Sequence, residues 1–150
     1  MKITVIDYGL SNLLSVRRAF EYFGAEVEVT GSRSRILSAK ALVLPGVGAF
    51  KDGMAGLSGL SLADAIADKC AVGTPLLGIC LGMQMLFDES DESDEFGRHR
   101  GLGLIPGRVR KLPNSATRIT ISMRNASGKY LAIASMASPW SLYCESQKNV

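Results

Sequence analysis

A cysteine placed between two glycines is the residue of this sequence with the clearest potential for chemistry. Residues 75–87 read PLLGICLGMQMLF, so Cys80 has Gly78 two positions before it and Gly82 two positions after it. This spacing is that of the G-x-S-x-G nucleophile elbow, with sulfur in place of oxygen. Glycines suit such a sharp turn because a side chain there would crowd the neighbouring backbone. The apolar residues predict a buried strand before Cys80 and a helix after it that ends near Phe87.

Position alone leaves two interpretations of Cys80 open. A thiol at a helix N-terminus lies near unpaired N–H groups and the positive end of the helix dipole, which favour the thiolate. A free cysteine that follows a core strand is, however, more commonly a packing residue. The flanking glycines and Gln84, one turn further along, favour the nucleophile. The other two cysteines, Cys70 and Cys144, complete an odd number without metal-ligand spacing. We therefore expect no disulfide framework and no metal site, and a reducing cytoplasm fits.

Strand patterns alternate with helix patterns and predict an α/β fold with a doubly wound, mostly parallel sheet. Residues 2–7, 25–30, 41–44 and 75–79 read as strands. Ser11 or Asn12 can cap a helix after the first strand, and Ser61 with Asp64 forms a capping-box-like start for another. Function gathers at the carboxyl ends of the strands in such sheets. The loops at residues 7–12 and 45–53 lie there beside the elbow, which predicts a composite site.

The loop after the third strand, residues 45–50 (PGVGAF), is rich in glycine. It lacks the glycine spacing and the lysine of phosphate-binding loops, and taken alone it is more commonly a plain turn. Beside a cysteine nucleophile it has a better role. The backbone N–H groups of Gly46, Val47 and Gly48 could closely approach an oxyanion that develops on a substrate.

Two later features of the sequence predict solvent-exposed loop residues. Residues 88–95 read DESDESDE, which predicts a mobile acidic loop more strongly than a cation site. His99, the one histidine of the sequence, is interpreted as an exposed residue of the same loop. Residues 114–150 show no sustained apolar period, so we expect an atypical tail at the end of a domain of residues 1–113.

Composition and charge narrow the function classes. Hydrophobic residues make up 47% and charged residues 21% of the 150, as in an ordinary soluble domain. Residues 1–113 hold 13 basic and 13 acidic residues, so the net charge of +3 comes entirely from residues 114–150. A neutral body argues against a nucleic-acid partner. The sequence has no secretory signal pattern and no apolar run of membrane-spanning length, so we expect a cytoplasmic protein without a membrane partner.

Four segments together resemble the glutamine amidotransferase subunit of imidazole glycerol phosphate synthase, a member of the class I glutamine amidotransferase family with a flavodoxin-like fold. They are residues 7–16 (DYGLSNLLSV), 44–50 (LPGVGAF), 78–84 (GICLGMQ) and 101–109 (GLGLIPGRV). The third segment would fit any class I amidotransferase, whereas the first and last narrow the resemblance to this member. The resemblance covers residues 1–113. Residues 114–150 are either divergent or translated from a shifted reading frame. We therefore expect the sheet to be incomplete at its C-terminal side.

This resemblance implies a function and a set of site residues. Cys80 is implied as the glutaminase nucleophile, and the N–H of Leu81 with the loop at residues 45–48 as the oxyanion site. Gly48 and Gln84 are implied as positions that bind glutamine. No cofactor or metal is implied. The implied partner is a (β/α)₈-barrel synthase subunit, which forms a heterodimer and uses the ammonia to make imidazole glycerol phosphate and aminoimidazole carboxamide ribotide in histidine biosynthesis.

One departure keeps other hypotheses open. The family places a catalytic His-x-Glu pair after the glycine-rich segment at residues 101–109, and these 150 residues contain no such pair. The chain could therefore be a catalytically inactive truncated homologue that only docks on the synthase. A different class I amidotransferase subunit is the third hypothesis, against which the segments at residues 7–16 and 101–109 argue.

Overall fold

The computed structural model describes the backbone of residues 1–94, 97–111, 119–124, 130–136 and 142–145, and the side chains of residues 1–92 and 97–110. Within these residues strands and helices alternate over the first half of the chain, and strands follow. In chain order they are β1 (Lys2–Ile6), α1 (Leu13–Tyr22), β2 (Glu26–Thr30), α2 (Arg33–Ser38), β3 (Leu42–Leu44), α3 (Phe50–Gly59), α4 (Leu62–Ala71), β4 (Leu76–Ile79), α5 (Leu81–Gln84), β5 (Phe87–Asp94), β6 (Gly97–Arg100), β7 (Ile105–Lys111), β8 (Ile119–Arg124), β9 (Tyr130–Met136) and β10 (Leu142–Glu145).

The main sheet has six strands in the order β2-β1-β3-β4-β9-β8. Neighbours from β2 to β9 run parallel, and only the edge strand β8 is antiparallel to its neighbour. Parallel neighbours need crossover connections, and the helices between the strands supply them. The predicted α/β fold with a mostly parallel sheet is confirmed. A second sheet of four strands has the order β10-β7-β5-β6.

Helices cover both faces of the main sheet. Ile3 and Val5 of β1 face α1, where Leu13, Val16 and Phe20 are partly buried against them. Ile6 belongs to the larger cluster on the opposite face. That cluster also includes Leu42, Leu44, Phe50, Leu57, Leu62, Ile66, Leu76, Met83, Met85 and Phe87. Alternate residues of a strand point to opposite faces, which is why one strand contributes to both clusters.

One predicted helix end is confirmed, and two others differ from expectation. Asn12 caps α1 as predicted, its side-chain oxygen accepting from the Ser15 N–H at 3.3 Å. Ser61 precedes α4 but makes no capping hydrogen bond, because its φ of 54° places it in the left-handed region. The predicted capping box is therefore wrong. Helix α5 ends at Gln84, short of the predicted Phe87, since Phe87 begins β5.

Residues 88–94 of the acidic run lie in a strand, so their prediction as a loop is wrong, and Glu95 lies outside the described residues. Residues 87–94 form β5, which pairs with β6 and β7. Arg98 and Arg108 each form ion pairs with Glu89 and with Asp91. Opposite charges on neighbouring strands compensate a run that would otherwise repel itself. His99 lies in β6 and is partly buried, so its interpretation as an exposed loop residue is also wrong.

Strands also form beyond residue 113, where the sequence pattern predicts none. β9 pairs with β4 in the main sheet, β8 pairs with β9, and β10 pairs with β7. Residues 119–124 (ITISMR) alternate apolar and polar types, which is a strand signal confined to a segment too short to give residues 114–150 a sustained period. The division of the chain at residue 113 stays a prediction.

Among the helices described here, none is long and apolar enough to cross a membrane. The described side chains likewise include no group of three or more His, Cys, Asp and Glu residues that could hold a metal ion.

Candidate active site

Cys80 occupies a strained turn between β4 and α5. Its φ is 52° and its ψ is −119°, and Ser61 is the other non-glycine residue with positive φ in the part of the chain that the structure describes. An L-residue in such a conformation costs about 1–3 kcal/mol and persists only where the surrounding structure enforces it. Strained residues of this kind cluster at functional sites, and a nucleophile elbow is one such case.

Two glycines make this turn possible through close approach of backbone to backbone. A Cβ at Gly82 would collide with the carbonyl oxygen of Leu44 at the end of β3. A Cβ at Gly78 would lie 2.6 Å from the Cα of Met83. The elbow is therefore wedged between its own helix and the neighbouring strand. The spacing of these glycines around Cys80 has the steric cause that the sequence predicts.

Cys80 differs in burial from the other cysteine whose side chain the structure describes. Cys80 is partly exposed, whereas Cys70 in α4 is buried. The backbone oxygen of Cys80 accepts from the N–H groups of Met83 and Gln84, at 3.0 and 3.2 Å. These bonds close the first turn of α5 and hold the cysteine at the helix start. Of the two cysteines whose side chains the structure describes, only Cys80 is partly exposed, as a nucleophile must be.

The glycine-rich loop at residues 45–48, which we call the oxyanion loop after its expected role, lies against the elbow. A Cβ at Gly46 would lie 2.9 Å from both the backbone nitrogen of Gly82 and the Cβ of Leu81. The structure thus brings Gly46 and Leu81 together beside Cys80, although the two segments are 35 residues apart in sequence. Gly48 has a φ of 100°, a conformation that favours glycine.

One predicted oxyanion donor is engaged elsewhere. The N–H of Val47 donates to the carbonyl oxygen of Leu10, at 3.0 Å, in the loop that follows β1. The Val47 side chain is about half exposed. This bond ties the oxyanion loop to the β1–α1 loop and occupies the Val47 N–H. The role of Val47 as an oxyanion donor stays a prediction.

Gln84 is close to Cys80 in sequence but largely enclosed. It is the last residue of α5, with 7% of its surface exposed. Its expected role in binding glutamine stays a prediction, as do those of Gly48 and Leu81.

The sequence reasoning missed Glu92. One carboxylate oxygen of Glu92, in β5, accepts from the backbone N–H of Phe50 at 2.6 Å. Phe50 is the first residue of α3, and Ala49 before it has no side chain that could cap the helix. The N-terminus of a helix favours a negative charge, so Glu92 stabilises the segment that directly follows the oxyanion loop. No local signal reveals this contact, because 42 residues separate the two partners.

Tyr8 is the second residue that the sequence reasoning missed, although it lies in the loop after β1. Its side chain is 4% exposed, and burial raises the pKa of its hydroxyl. A Cβ at Gly46 would collide with the Tyr8 hydroxyl oxygen, so this hydroxyl lies directly against the oxyanion loop.

The fold and the elbow together define a class of protein. A parallel α/β sheet that carries a cysteine elbow beside a glycine-rich loop agrees with the family model that the sequence matches. The model described as "Glutamine amidotransferase class-I" matches residues 4–131. The chain belongs to this family.

Curated relatives narrow the likeness to one member of the family. The chain is 52% identical over 112 residues to imidazole glycerol phosphate synthase subunit HisH 1 of Legionella pneumophila (strain Lens), covering 75% of this chain and 51% of that protein. It is 50% identical over 111 residues to subunit HisH of Moorella thermoacetica, covering 74% of this chain and 51% of that protein. The chain thus spans about half the length of the curated relatives it matches.

Solved structures support the fold. A structure described as "Crystal structure of glutamine amidotransferase" superposes with a TM-score of 0.64 at 16% identity, over 87% of this chain and 69% of that one. PurLQS from Thermotoga maritima superposes with a TM-score of 0.56 at 24% identity, over 82% of this chain and 52% of that one. At these identities the likeness concerns the fold alone.

Proposed function

We propose that this chain belongs to a glutaminase subunit that releases ammonia from glutamine for imidazole glycerol phosphate synthase. The observation that carries the proposal is the strained, partly exposed Cys80 with the oxyanion loop packed against its turn. The names of the curated relatives support the same choice among class I amidotransferases.

The proposed chemistry begins with attack of the Cys80 thiolate on the side-chain amide carbon of glutamine. The carbonyl oxygen becomes an oxyanion, to which the Leu81 N–H and an N–H of the oxyanion loop donate. Collapse of this intermediate breaks the C–N bond, and the nitrogen leaves as ammonia after it takes up a proton. A γ-glutamyl thioester remains on Cys80. Water hydrolyses it to glutamate and restores the thiol. Gly48 and Gln84 are the proposed glutamine-binding positions.

The ammonia needs a partner that consumes it. Ammonia released into neutral water is protonated and ceases to be a nucleophile, so the proposal includes a (β/α)₈-barrel synthase subunit bound as a heterodimer. This partner would use ammonia to form imidazole glycerol phosphate and aminoimidazole carboxamide ribotide in histidine biosynthesis. The proposed location is the cytoplasm. We assign the amidotransferase part to residues 1–113 and treat residues 114–150 as an atypical tail.

Covalent labelling tests the proposed nucleophile because it needs only the first half of the reaction. The chain is incubated with a diazo ketone analogue of glutamine, and the adduct is located by peptide mass spectrometry. We expect the label on Cys80, competition by glutamine, and loss of label in Cys80→Ala but not in the matched Cys70→Ala variant. Label spread equally over Cys70, Cys80 and Cys144 would refute the glutaminase assignment.

A further inference from the structure

Tyr8 carries a buried polar group that the proposed reaction does not yet use. Its hydroxyl has no hydrogen-bond partner among the described residues, and the residue is 4% exposed. A buried hydroxyl without a partner costs free energy, and a phenylalanine would fill the same space without that cost. We therefore expect the Tyr8 hydroxyl to have a role other than packing.

The position of this hydroxyl connects it to the candidate active site. On one side the phenol ring packs against α3, where a Cβ at Gly56 would lie 3.0 Å from its Cδ2 atom. At its far end the hydroxyl oxygen lies so close to Gly46 that a Cβ there would collide with it. That same Cβ would lie 2.9 Å from the Gly82 nitrogen, at the start of α5. The polar end of Tyr8 thus stands where the oxyanion loop meets the elbow.

The hydrogen bonds of the oxyanion loop indicate what the hydroxyl could do. The Val47 N–H donates to Leu10, so it must leave that bond before it can serve an oxyanion at Cys80. The Gly46–Val47 peptide is a rigid plane, so turning its N–H toward Cys80 turns the Gly46 carbonyl the opposite way. That carbonyl then needs a donor, and the Tyr8 hydroxyl is the buried donor beside it. Burial raises the pKa of Tyr8, which keeps the phenol in its protonated, donating form.

We propose that Tyr8 is a positioning residue of the oxyanion loop, whose hydroxyl donates to the Gly46 carbonyl when a glutamine-derived group occupies the elbow. The inference rests on the proposed glutaminase function. It assigns to Tyr8 no contact with the reacting atoms. Its effect reaches the oxyanion through the orientation of the Gly46–Val47 peptide.

Two alkylating reagents test this proposal on the full 150-residue chain. The diazo ketone analogue of glutamine needs the oxyanion loop to bind its carbonyl, whereas iodoacetamide reports only the availability of the Cys80 thiolate. We expect Tyr8→Phe to slow labelling of Cys80 by the diazo ketone about tenfold, the effect of one lost hydrogen bond. The iodoacetamide rate should stay within about twofold of wild type, and the unfolding temperature should not fall, since no satisfied hydrogen bond is removed. Tyr22→Phe is the matched control, because Tyr22 is 85% exposed.

Three results would overturn the inference. Equal diazo ketone rates in Tyr8→Phe and wild type would show that the hydroxyl has no positioning role. A parallel fall of both alkylation rates together with a lower unfolding temperature would make Tyr8 a purely structural residue. A wild-type chain whose Cys80 reacts with iodoacetamide but not with the diazo ketone would refute the proposed function, and the role of Tyr8 with it.

Discussion

Replacement of Gly82 by alanine should disrupt the elbow, because the added Cβ has no space beside the backbone of β3. The new Cβ would collide with the Leu44 carbonyl oxygen and lie 2.6 Å from the Leu44 carbonyl carbon and 3.1 Å from that of Pro45. The opposing atoms are backbone of the sheet and of the oxyanion loop, which cannot rotate away as a side chain does. Moving the carbonyl carbon from 2.6 Å to the 3.4 Å at which ordinary contact begins requires the elbow to shift by at least 0.8 Å, and the closer carbonyl oxygen requires more.

The size of this effect follows from the packing of the site. Overpacking a dense interior costs about 1–3 kcal/mol where side chains can adjust, so a collision with backbone should cost about 3 kcal/mol or more. With a urea dependence of about 1–3 kcal/mol per molar, the unfolding midpoint of Gly82→Ala should fall by about 1 M or more. Displacement of the nucleophile by nearly 1 Å should also slow labelling of Cys80 by the glutamine analogue by about 10²-fold.

Gly59→Ala provides the matched control. Gly59 is the last residue of α3, and a Cβ there would have no atom within 4 Å. Alanine is the better helix former by about 1 kcal/mol, so this variant should be as stable as wild type or slightly more stable. If Gly82→Ala unfolds at the same urea concentration as wild type and labels Cys80 at the same rate, the wedged elbow is not the arrangement of the protein in solution.

Three further outcomes are expected. Glu92→Ala should lower the free energy of unfolding by about 1–2 kcal/mol, because the Phe50 N–H loses its acceptor, whereas Glu92→Gln keeps an acceptor and should cost less; equal urea midpoints for the two variants would contradict the capping role. His99→Ala should leave glutamine turnover unchanged in an ammonia-release assay with the synthase present, because β6 lies in the second sheet; loss of a substantial activity would make His99 the missing base. The Arg35 side chain lowers the pKa of Glu28, so this carboxylate stabilises the fold above its unfolded-state pKa, and that contribution is lost as the pH falls through the lower folded-state pKa. Arg35→Met should therefore lower the thermal midpoint slightly at neutral pH and leave it unchanged in strong acid, and a difference that persists in acid would exclude this linkage.

Local patterns in the sequence determine the elements that hold the nucleophile. Alternation predicts strand β1, capping chemistry predicts the Asn12 cap of α1, and a short apolar run predicts strand β4. The elbow at Cys80 follows from glycine spacing, because the collision that excludes a side chain at Gly78 is with the adjacent turn of the same chain. Signals of this kind act over a few residues and can be read directly.

Where local signals are weak or mixed, the sequence reading was wrong. The acidic residues of β5 predict a solvated loop if each charge is considered alone, but Arg98 and Arg108 on neighbouring strands compensate them. Ser61 with Asp64 predicts a capping box, yet the Ser61 N–H donates to Ser58 in the preceding helix, and Ser61 has a left-handed conformation without a cap. In both cases a neighbouring element decides the outcome.

The sequence by itself thus determined the parallel α/β fold, the position of Cys80 at the elbow and the presence of a glycine-rich loop beside it. Only the tertiary structure decided how that loop is held. Val47 bonds to Leu10, Tyr8 reaches Gly46, and the Glu92 carboxylate caps the helix that follows the loop. Each contact joins residues from different strands or loops, and its geometry depends on strand order and register. No periodicity within one segment encodes such a pairing, because the partners become neighbours only when the sheet assembles.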